Sequence, residues 1–190
     1  MKQARVFLAV VAVLILLDGC AAPCHDFSFH EAMPGIFVGC RPRHQADFDQ
    51  LRECGIRTII SYETFTWHVV PERKKAERNK LAFVNVPVFA FPTVPSEESM
   101  EHAVRILADA SLRPVYVHCL YGRDRTEVIL GLYRVYYEGV SPQEAWNQML
   151  RNGYKDNYWS LWGFGRYFWT HAPKSHMGGA ELPPNPQSGE

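Results

Sequence analysis

The stretch that most constrains the fold runs from residue 114 to residue 130, PVYVHCLYGRDRTEVIL. Residues 114–117 are apolar and partly β-branched, which is typical of a short buried strand. From Thr126 the chain continues without a helix breaker until Gly139, which favours a helix. A loop containing Gly122 joins the two segments. The pattern therefore predicts a strand, a cysteine-bearing loop and a helix.

This loop has the residues of an anion site. A loop that enters a helix presents several backbone N–H groups to one point, and the helix dipole makes that point electropositive. Cys119 lies at its rim, where the amides and the Arg125 guanidinium favour the thiolate. Arg125 offers a planar fork for two phosphate oxygens, Gly122 permits a tight curl, and Thr126 offers a hydroxyl to the sulfur. The implied chemistry is attack of sulfur on phosphorus, followed by hydrolysis of the thiophosphate.

The motif His118-Cys119-x5-Arg125-Thr126 resembles the signature loop of the cysteine-based protein tyrosine phosphatase superfamily. We refer to residues 118–126 as the signature loop. The resemblance extends over residues 34–155 and is strongest to small dual-specificity-like members, including bacterial cysteine phytases that act on inositol phosphates. It implies that Cys119 is the nucleophile and Arg125 the phosphate clamp. It also implies that His118 orients the loop from behind and that Thr126 is the hydroxyl partner.

The same resemblance implies a cradle of backbone amides for the phosphate, contributed by Leu120, Tyr121, Gly122, Arg123, Asp124 and Arg125. Two positions depart from the family pattern. Glu127 stands where many members have glycine, and we expect it to point outward, away from the phosphate. The loop at residues 89–95, where many members carry an aspartate as general acid, contains none. Asp124 is therefore the first candidate for the proton donor, while Glu97 and Glu98 are second candidates that fit better as the acidic first turn of a capped helix.

Arg41 and Arg43 follow the first strand predicted from the sequence, at a point where similar phosphatases have an arginine near the active-site rim. Both are candidates for binding further substrate phosphates, as is Arg123, and all three fit equally well as solvated loop cations. They favour inositol polyphosphates or phosphoinositides as substrates. A protein tyrosine or dual-specificity phosphatase, a non-catalytic phosphate-binding module and a rhodanese-like sulfurtransferase are the alternatives.

The charge balance of the chain argues against one class of partner, nucleic acid. The chain has 20 basic and 20 acidic residues, so no global positive field favours nucleic acid. No metal or other cofactor is expected, because Arg125 and the loop amides can take the negative charge of the phosphate. The expected partner is a phosphorylated small molecule such as an inositol phosphate, or a phosphoprotein.

The N-terminus predicts export. Lys2 and Arg5 precede an apolar run at residues 6–17, which is short for a membrane span and typical of a signal peptide. The run leads into LDGCA, which resembles a lipoprotein box whose cysteine, Cys20, would carry a lipid anchor. An ordinary signal peptide and a plain membrane anchor are the alternatives. The predicted location is therefore periplasmic, or membrane-anchored as a lipoprotein.

Outside the cytoplasm, disulfides can form among the cysteines. The sequence does not determine how Cys24, Cys40 and Cys54 pair.

The order of elements predicts an α/β fold, with a mostly parallel sheet of four or five strands flanked by helices. Strands are predicted at residues 36–39, 56–62, 81–88 and 114–117, and helices at 45–54, 71–80, 97–110, 126–138 and 142–152. Residues 63–68 are predicted as a loop. The predicted organisation is a signal peptide at 1–19, an N-terminal linker at 20–33, a cysteine phosphatase domain at 34–172 and a disordered tail at 173–190.

Overall fold

A five-stranded sheet forms the centre of the part of the chain that the structure describes, residues 27–89, 94–155 and 162–176 of a computed structural model. The strands are β1 (Phe29–Met33), β2 (Ile36–Gly39), β3 (Thr58–Ser61), β4 (Ala82–Asn85) and β5 (Val115–His118). The helices are α1 (Gln45–Glu53), α2 (Thr66–Arg78), α3 (Glu97–Ala108), α4 (Asp124–Tyr137), α5 (Pro142–Arg151) and α6 (Trp162–His176). The predicted α/β class and the mostly parallel sheet are confirmed.

The topology of the sheet determines where the signature loop lies. The strand order is β1-β2-β5-β3-β4, in which β1 pairs antiparallel with β2 and the other neighbours pair in parallel. Parallel strands that run side by side end at the same edge. The segments that follow β2, β3, β4 and β5 therefore all leave the sheet at one side, which we call the carboxyl edge. In this register Ser61 lies beside His118, so the ends of β3 and β5 are level.

Hydrophobic cores cover both faces of the sheet. Because side chains alternate along a strand, Ile60 and Val117 pack in one core while Ile59 and Tyr116 pack in the other. Each large apolar side chain that is fully buried stabilises the fold by about 1.5–3 kcal/mol. Helix α4 is buried on most sides, which explains why apolar residues occur all round it.

Two helix starts have the caps that the sequence indicates. The Ser96 hydroxyl accepts the Ser99 N–H at the start of α3, and the Ser141 hydroxyl accepts the Glu144 N–H at the start of α5. Each bond satisfies one of the backbone donors that a helix leaves unpaired in its first turn.

Three predicted boundaries were wrong. Strand β1 (Phe29–Met33) lies within the predicted linker at residues 20–33, because Phe29 and Met33 pack into the cores. Helix α2 begins at Thr66, inside the predicted loop, and contains Pro71. Only one turn precedes this proline, so its missing N–H removes a single bond near the helix start. Helix α6 continues to His176, beyond the start of the predicted tail.

The predicted signal peptide and Cys20 lie outside the described residues, as does Cys24. Within the described ranges, no helix is both long and apolar enough to cross a bilayer. Cys54 is disulfide-bonded, and Cys119 carries a free thiol.

Candidate active site

The signature loop connects β5 to α4 at the carboxyl edge. Cys119 directly follows the last residue of β5 and is only 2% exposed. Helix α4 begins at Asp124, two residues earlier than predicted. Asp124 and Arg125 therefore lie in its first turn, where the positive end of the helix dipole acts on the loop.

Gly122 allows the loop to approach β2 closely. Its φ is +68°, a left-handed conformation that side chains other than glycine adopt at a cost. A Cβ at this position would lie 1.9 Å from the Gly39 carbonyl oxygen. Beside it, the Arg41 N–H donates to the Leu120 carbonyl at 3.4 Å. The end of β2 therefore supports the loop from one side, and only glycine fits at residue 122.

Several N–H and O–H groups of the signature loop form no hydrogen bond within the described residues. Among the described residues, the backbone N–H groups of residues 120–123 donate to no acceptor. Arg125 Nη1 and the Thr126 hydroxyl are buried and also have no hydrogen-bond partner within that part of the chain. Buried donors are normally satisfied, so this arrangement is suited to binding an anion. The expected hydrogen bond from Thr126 to the sulfur of Cys119 is not formed.

His118, the last residue of β5, contacts the loop from behind. Its Nδ1 lies 2.9 Å from the Cys119 carbonyl oxygen and donates to it, because a carbonyl only accepts. Its Nε2 lies 2.7 Å from Glu72 Oε1 on α2, and both side chains are fully buried. The Tyr116 ring stacks on the imidazole with the centroids 5.6 Å apart. These contacts fix the ring and, through it, the backbone of Cys119. Glu72 was not among the site residues predicted from the sequence.

Glu63 lies just beyond the end of β3 and holds Arg125. Its side chain is fully buried, and its Oε1 lies 3.5 Å from Arg125 Nη1. The same oxygen accepts the Thr64 N–H at 2.8 Å, and Oε2 lies 3.3 Å from His68 Nδ1. Burial raises the pKa of this carboxyl, but the Thr64 hydrogen bond, the charge of Arg125 and the remaining hydrogen bonds outweigh it and lower the pKa. Sequence reasoning missed Glu63, although its place after a strand that neighbours β5 was an available signal.

Asp124 is half-buried at the N-terminus of α4. Burial raises its pKa, although the positive charges of Arg123, Arg125 and Lys155 oppose this change. A raised pKa keeps a carboxyl protonated at higher pH, as a general acid for a poor leaving group requires. The direction of this pKa shift is the one that a proton donor needs, and Asp124 stays the first candidate for that role.

The alternative acids are on another helix. Glu97 and Glu98 form the exposed first turn of α3, and Glu97 lies 3.8 Å from His171 Nε2 on α6. Among the described residues, no hydrogen bond or ion pair joins either of them to the signature loop. Residues 90–93 of the predicted acid loop lie outside the described residues.

Two of the three candidate arginines lie beside the loop in one cavity. Arg41 and Arg43 line a cavity of about 370 Å³ together with Leu120 and Tyr121. Arg41 Nε is buried and has no hydrogen-bond partner among the described residues. Arg123 is exposed, and its guanidinium lies 5.5 Å from the centre of the Tyr121 ring. The structure therefore brings Arg41 and Arg43 to one part of the loop, while Arg123 lies at its surface.

Glu127 is buried rather than exposed to solvent, and its side chain contacts the turn that follows α5. Its side chain is buried, and its Oε2 accepts a hydrogen bond of 2.9 Å from Asn152 Nδ2. Burial raises the pKa of Glu127 to about 7, although the Asn152 hydrogen bond and the charge of Arg134 oppose the rise. The turn that follows α5 covers this carboxyl, which a pattern within α4 alone does not reveal.

The sequence of the chain is similar to those of known phosphatases. A family model described as a DSP-PTPase phosphatase fused to NAD+ kinase matches residues 44–158. The chain is 26% identical over 129 residues to the phosphatidylglycerophosphatase and protein-tyrosine phosphatase 1 of Mus musculus, a match covering 65% of this chain and 66% of that protein. It is 24% identical over 135 residues to the dual specificity protein phosphatase TpbA of Pseudomonas aeruginosa (strain UCBPP-PA14), covering 69% of this chain and 57% of that protein. In both cases the chain spans less than two thirds of the relative's length.

A solved structure shares the fold. The core catalytic domain of the PP-IP phosphatase SIW14 from S. cerevisiae superposes with a TM-score of 0.63 at 16% sequence identity. The superposition covers 74% of this chain and 83% of that one. Its extent shows that the sheet and its flanking helices have the same arrangement in both.

Proposed function

The chain belongs to the family of DSP-PTPase phosphatases described as fused to NAD+ kinase, among the dual-specificity-like cysteine phosphatases, and we propose that it hydrolyses phosphate monoesters through a cysteinyl-phosphate intermediate. One observation carries the proposal. Backbone N–H groups at residues 120–123 that donate to no acceptor among the described residues lie on one loop with a free thiol, Cys119, and the guanidinium of Arg125. The oxygens of a phosphate group are acceptors that match these donors.

The first half of the reaction forms the intermediate. The Cys119 thiolate attacks phosphorus, and the bond from phosphorus to the ester oxygen breaks. Asp124 gives its proton to that oxygen, so the leaving group departs as an alcohol. Arg125, held by Glu63 at 3.5 Å, and the loop amides bind the other phosphate oxygens as charge spreads over them in the transition state.

The second half restores the enzyme. The Asp124 carboxylate takes a proton from a water molecule, whose oxygen attacks phosphorus while the bond to sulfur breaks. Inorganic phosphate leaves, and Cys119 is again a thiolate. Through the Cys119 carbonyl, His118 and Glu72 keep the nucleophile in place during both steps.

We propose inositol polyphosphates or phosphoinositides as substrates, because several cations lie around the loop. Arg41 and Arg43 share a cavity with Leu120 and Tyr121, and Arg123 is exposed on the loop. The name of one structural neighbour, a PP-IP phosphatase, also supports such a substrate, while another similar protein is named as both a phosphatidylglycerophosphatase and a protein-tyrosine phosphatase. TpbA, a dual specificity protein phosphatase, keeps a phosphoprotein as the alternative.

The test is phosphate release by the full-length protein from inositol polyphosphates, phosphoinositides and a phosphotyrosine peptide. Cys119→Ser is expected to abolish release from all of them, whereas Cys40→Ser retains it as the matched control. Removing both cavity arginines (Arg41→Ala with Arg43→Ala) is expected to reduce turnover of inositol polyphosphates more than turnover of the peptide. Turnover that survives Cys119→Ser would refute the cysteine mechanism, and equal specificity constants for peptide and inositol polyphosphate would refute the substrate proposal.

We further propose that the chain is exported and carries lipid at Cys20. The apolar run at residues 6–17 and the LDGCA sequence support this. Incorporation of labelled fatty acid into the wild type but not into Cys20→Ala is the expected result. Equal labelling of the two proteins, or none in either, would refute lipidation at this cysteine.

A further inference from the structure

The exposed apolar side chains of the described residues are concentrated at the carboxyl edge. Seven large apolar side chains are exposed in that part of the chain, and five of them belong to segments that follow β3, β4 or β5. These five are Phe65 (38% exposed), Trp67 (65%), Val70 (49%), Phe89 (54%) and Tyr121 (56%), and we call them the apolar rim. Single exposed apolar residues are common, but several at one edge, two of them stacked on each other, are typical of an interaction surface.

Helix α2 shows what kind of surface this is. Trp67, Val70, Lys74 and Arg78 recur at helical spacing and are all exposed, while Val69, Glu72 and Ala76 on the opposite side are buried. The outward stripe is therefore apolar in its first turn, at the carboxyl edge, and basic further along. The ring of Trp67 stacks on that of Phe65 with the centroids 4.6 Å apart, which gives the apolar end a broad flat face. An apolar face bordered by lysine and arginine is typical of helices that lie at the surface of a bilayer.

The first described residues of the chain also lie at the carboxyl edge. β1 runs antiparallel to β2, with Phe29 beside Gly39, so its N-terminal end is at the carboxyl edge. Phe27, where the described chain begins, lines the same cavity as Leu120 and Tyr121 of the signature loop. The proposed lipid attachment site, Cys20, lies seven residues before Phe27. Seven residues span at most about 25 Å, so a lipid at Cys20 would keep the signature loop close to the bilayer.

We propose that the apolar rim docks on an anionic phospholipid bilayer, so that the signature loop faces the headgroups and acts on a phosphate carried by a membrane lipid. The docking is inferred from the exposed apolar and basic residues alone, whereas the action on lipid phosphate rests on the proposed function. Trp and Phe side chains enter the interfacial layer, while Lys74 and Arg78 attract anionic headgroups. A peptide partner would use the same aromatic residues, and the experiment separates the two.

The activity test uses the full chain and two forms of one headgroup. The substrates are phosphatidylinositol phosphate in vesicles of phosphatidylcholine and phosphatidylglycerol, and the corresponding soluble inositol phosphate. The variant Trp67→Ser with Val70→Ser is expected to lower kcat/KM on vesicles by at least about tenfold, because the loss of one large apolar side chain from the bilayer is already of that size. Turnover of the soluble substrate is expected to stay unchanged. The matched control, Leu150→Ser with Trp169→Ser, removes apolar residues that are exposed elsewhere and is expected to change neither.

Three results would overturn the docking proposal: vesicle turnover that the rim variant leaves unchanged, an equal fall on both substrates, or a fall on a phosphotyrosine peptide instead. The last result would assign the rim to peptide binding. If the wild type turns over neither substrate, the proposed function fails, and docking is then decided by a binding measurement that needs no catalysis.

That measurement is quenching of tryptophan fluorescence by brominated phospholipid in the same vesicles, with the full chain bound. Trp67→Phe is expected to remove most of the quenchable signal, whereas Trp169→Phe, which alters an exposed tryptophan on α6, is expected to leave it. Higher salt is expected to reduce the quenching, since it screens the attraction of Lys74 and Arg78. Equal quenching in the two variants would show that Trp67 does not reach the bilayer and would overturn the proposal.

Discussion

Glu127 is a buried acid in the first turns of the helix that follows the signature loop, so its ionisation should change the stability of the fold with pH. Its side chain is buried and accepts a hydrogen bond from Asn152. Glu127→Gln keeps the shape and an acceptor for this bond but removes the ionisable group. We expect the variant to be more stable than the wild type at alkaline pH and equally stable at acid pH.

The magnitude follows from the pKa of this carboxyl. Burial raises the pKa of Glu127 from 4.5 to about 7. Because the folded protein then holds the proton more tightly, this stabilising contribution is complete below pH 4.5 and is lost as the pH rises through about 7. At about 1.4 kcal/mol for each pKa unit, the wild type loses about 3 kcal/mol over this window. The variant does not titrate here, so at about pH 8 it should be more stable by up to this amount.

The assay is urea denaturation of both proteins at several values between about pH 4 and pH 8, with the difference in the free energy of unfolding plotted against pH. Glu138→Gln, at the exposed end of the same helix, is the matched control and should show no pH-dependent gain. A Glu127→Gln variant that is equally stable or less stable at pH 8 would refute the reasoning. It would mean that folding does not raise the pKa of this carboxyl, because the charge of Arg134 stabilises the ionised form as well as water does.

Three further variants test the site. Glu63→Gln is expected to lower kcat/KM by about 100-fold, because a clamp displaced by about 1 Å costs this much, and unchanged kinetics would contradict the role of Glu63 in holding Arg125. Because the folded pKa of Glu63 is lowered, its stabilising contribution is present above pH 4.5 and lost as the pH falls through the folded pKa. The advantage of the wild type over Glu63→Gln in urea denaturation should therefore disappear in acid. Asp124→Asn is expected to slow hydrolysis of alkyl phosphates by about 100-fold or more and that of activated aryl phosphates much less, with loss of the high-pH limb of the rate profile. Equal losses on both esters would exclude Asp124 as the proton donor. Gly122→Ala is expected to abolish turnover, because its Cβ would lie 1.9 Å from a backbone carbonyl. Gly139→Ala shares the strained φ but meets open space, so it should lose only about 1–2 kcal/mol of stability and retain activity.

The catalytic stretch was predictable because its parts are neighbours in the chain. A buried strand, a glycine turn and the first turn of a helix place Cys119, the loop amides and Arg125 near one another whatever the rest of the fold does. The helix starts at Ser96 and Ser141 were predictable for the same reason, since a cap acts on N–H groups two or three residues away.

Other features depended on distant parts of the chain. The apolar residues of β1 bury only when the strand pairs with β2, so the sequence alone indicated a linker there. Glu72 lies on a helix rich in lysine and arginine, and its burial follows from the packing of α2 against the sheet, where it meets His118 at 2.7 Å. The local sequence around each residue contains no sign of these partners.

The sequence by itself therefore determined the local arrangement of the site: a thiol, an arginine and a loop of backbone amides, joined by local backbone geometry. Only the tertiary structure decided which side chains support that chemistry. Parallel strands β3 and β5 end level at the carboxyl edge, and this brings Glu63 to Arg125. Burial and charge pairing depend on which segments share an edge of the sheet, and that information is spread over the whole chain.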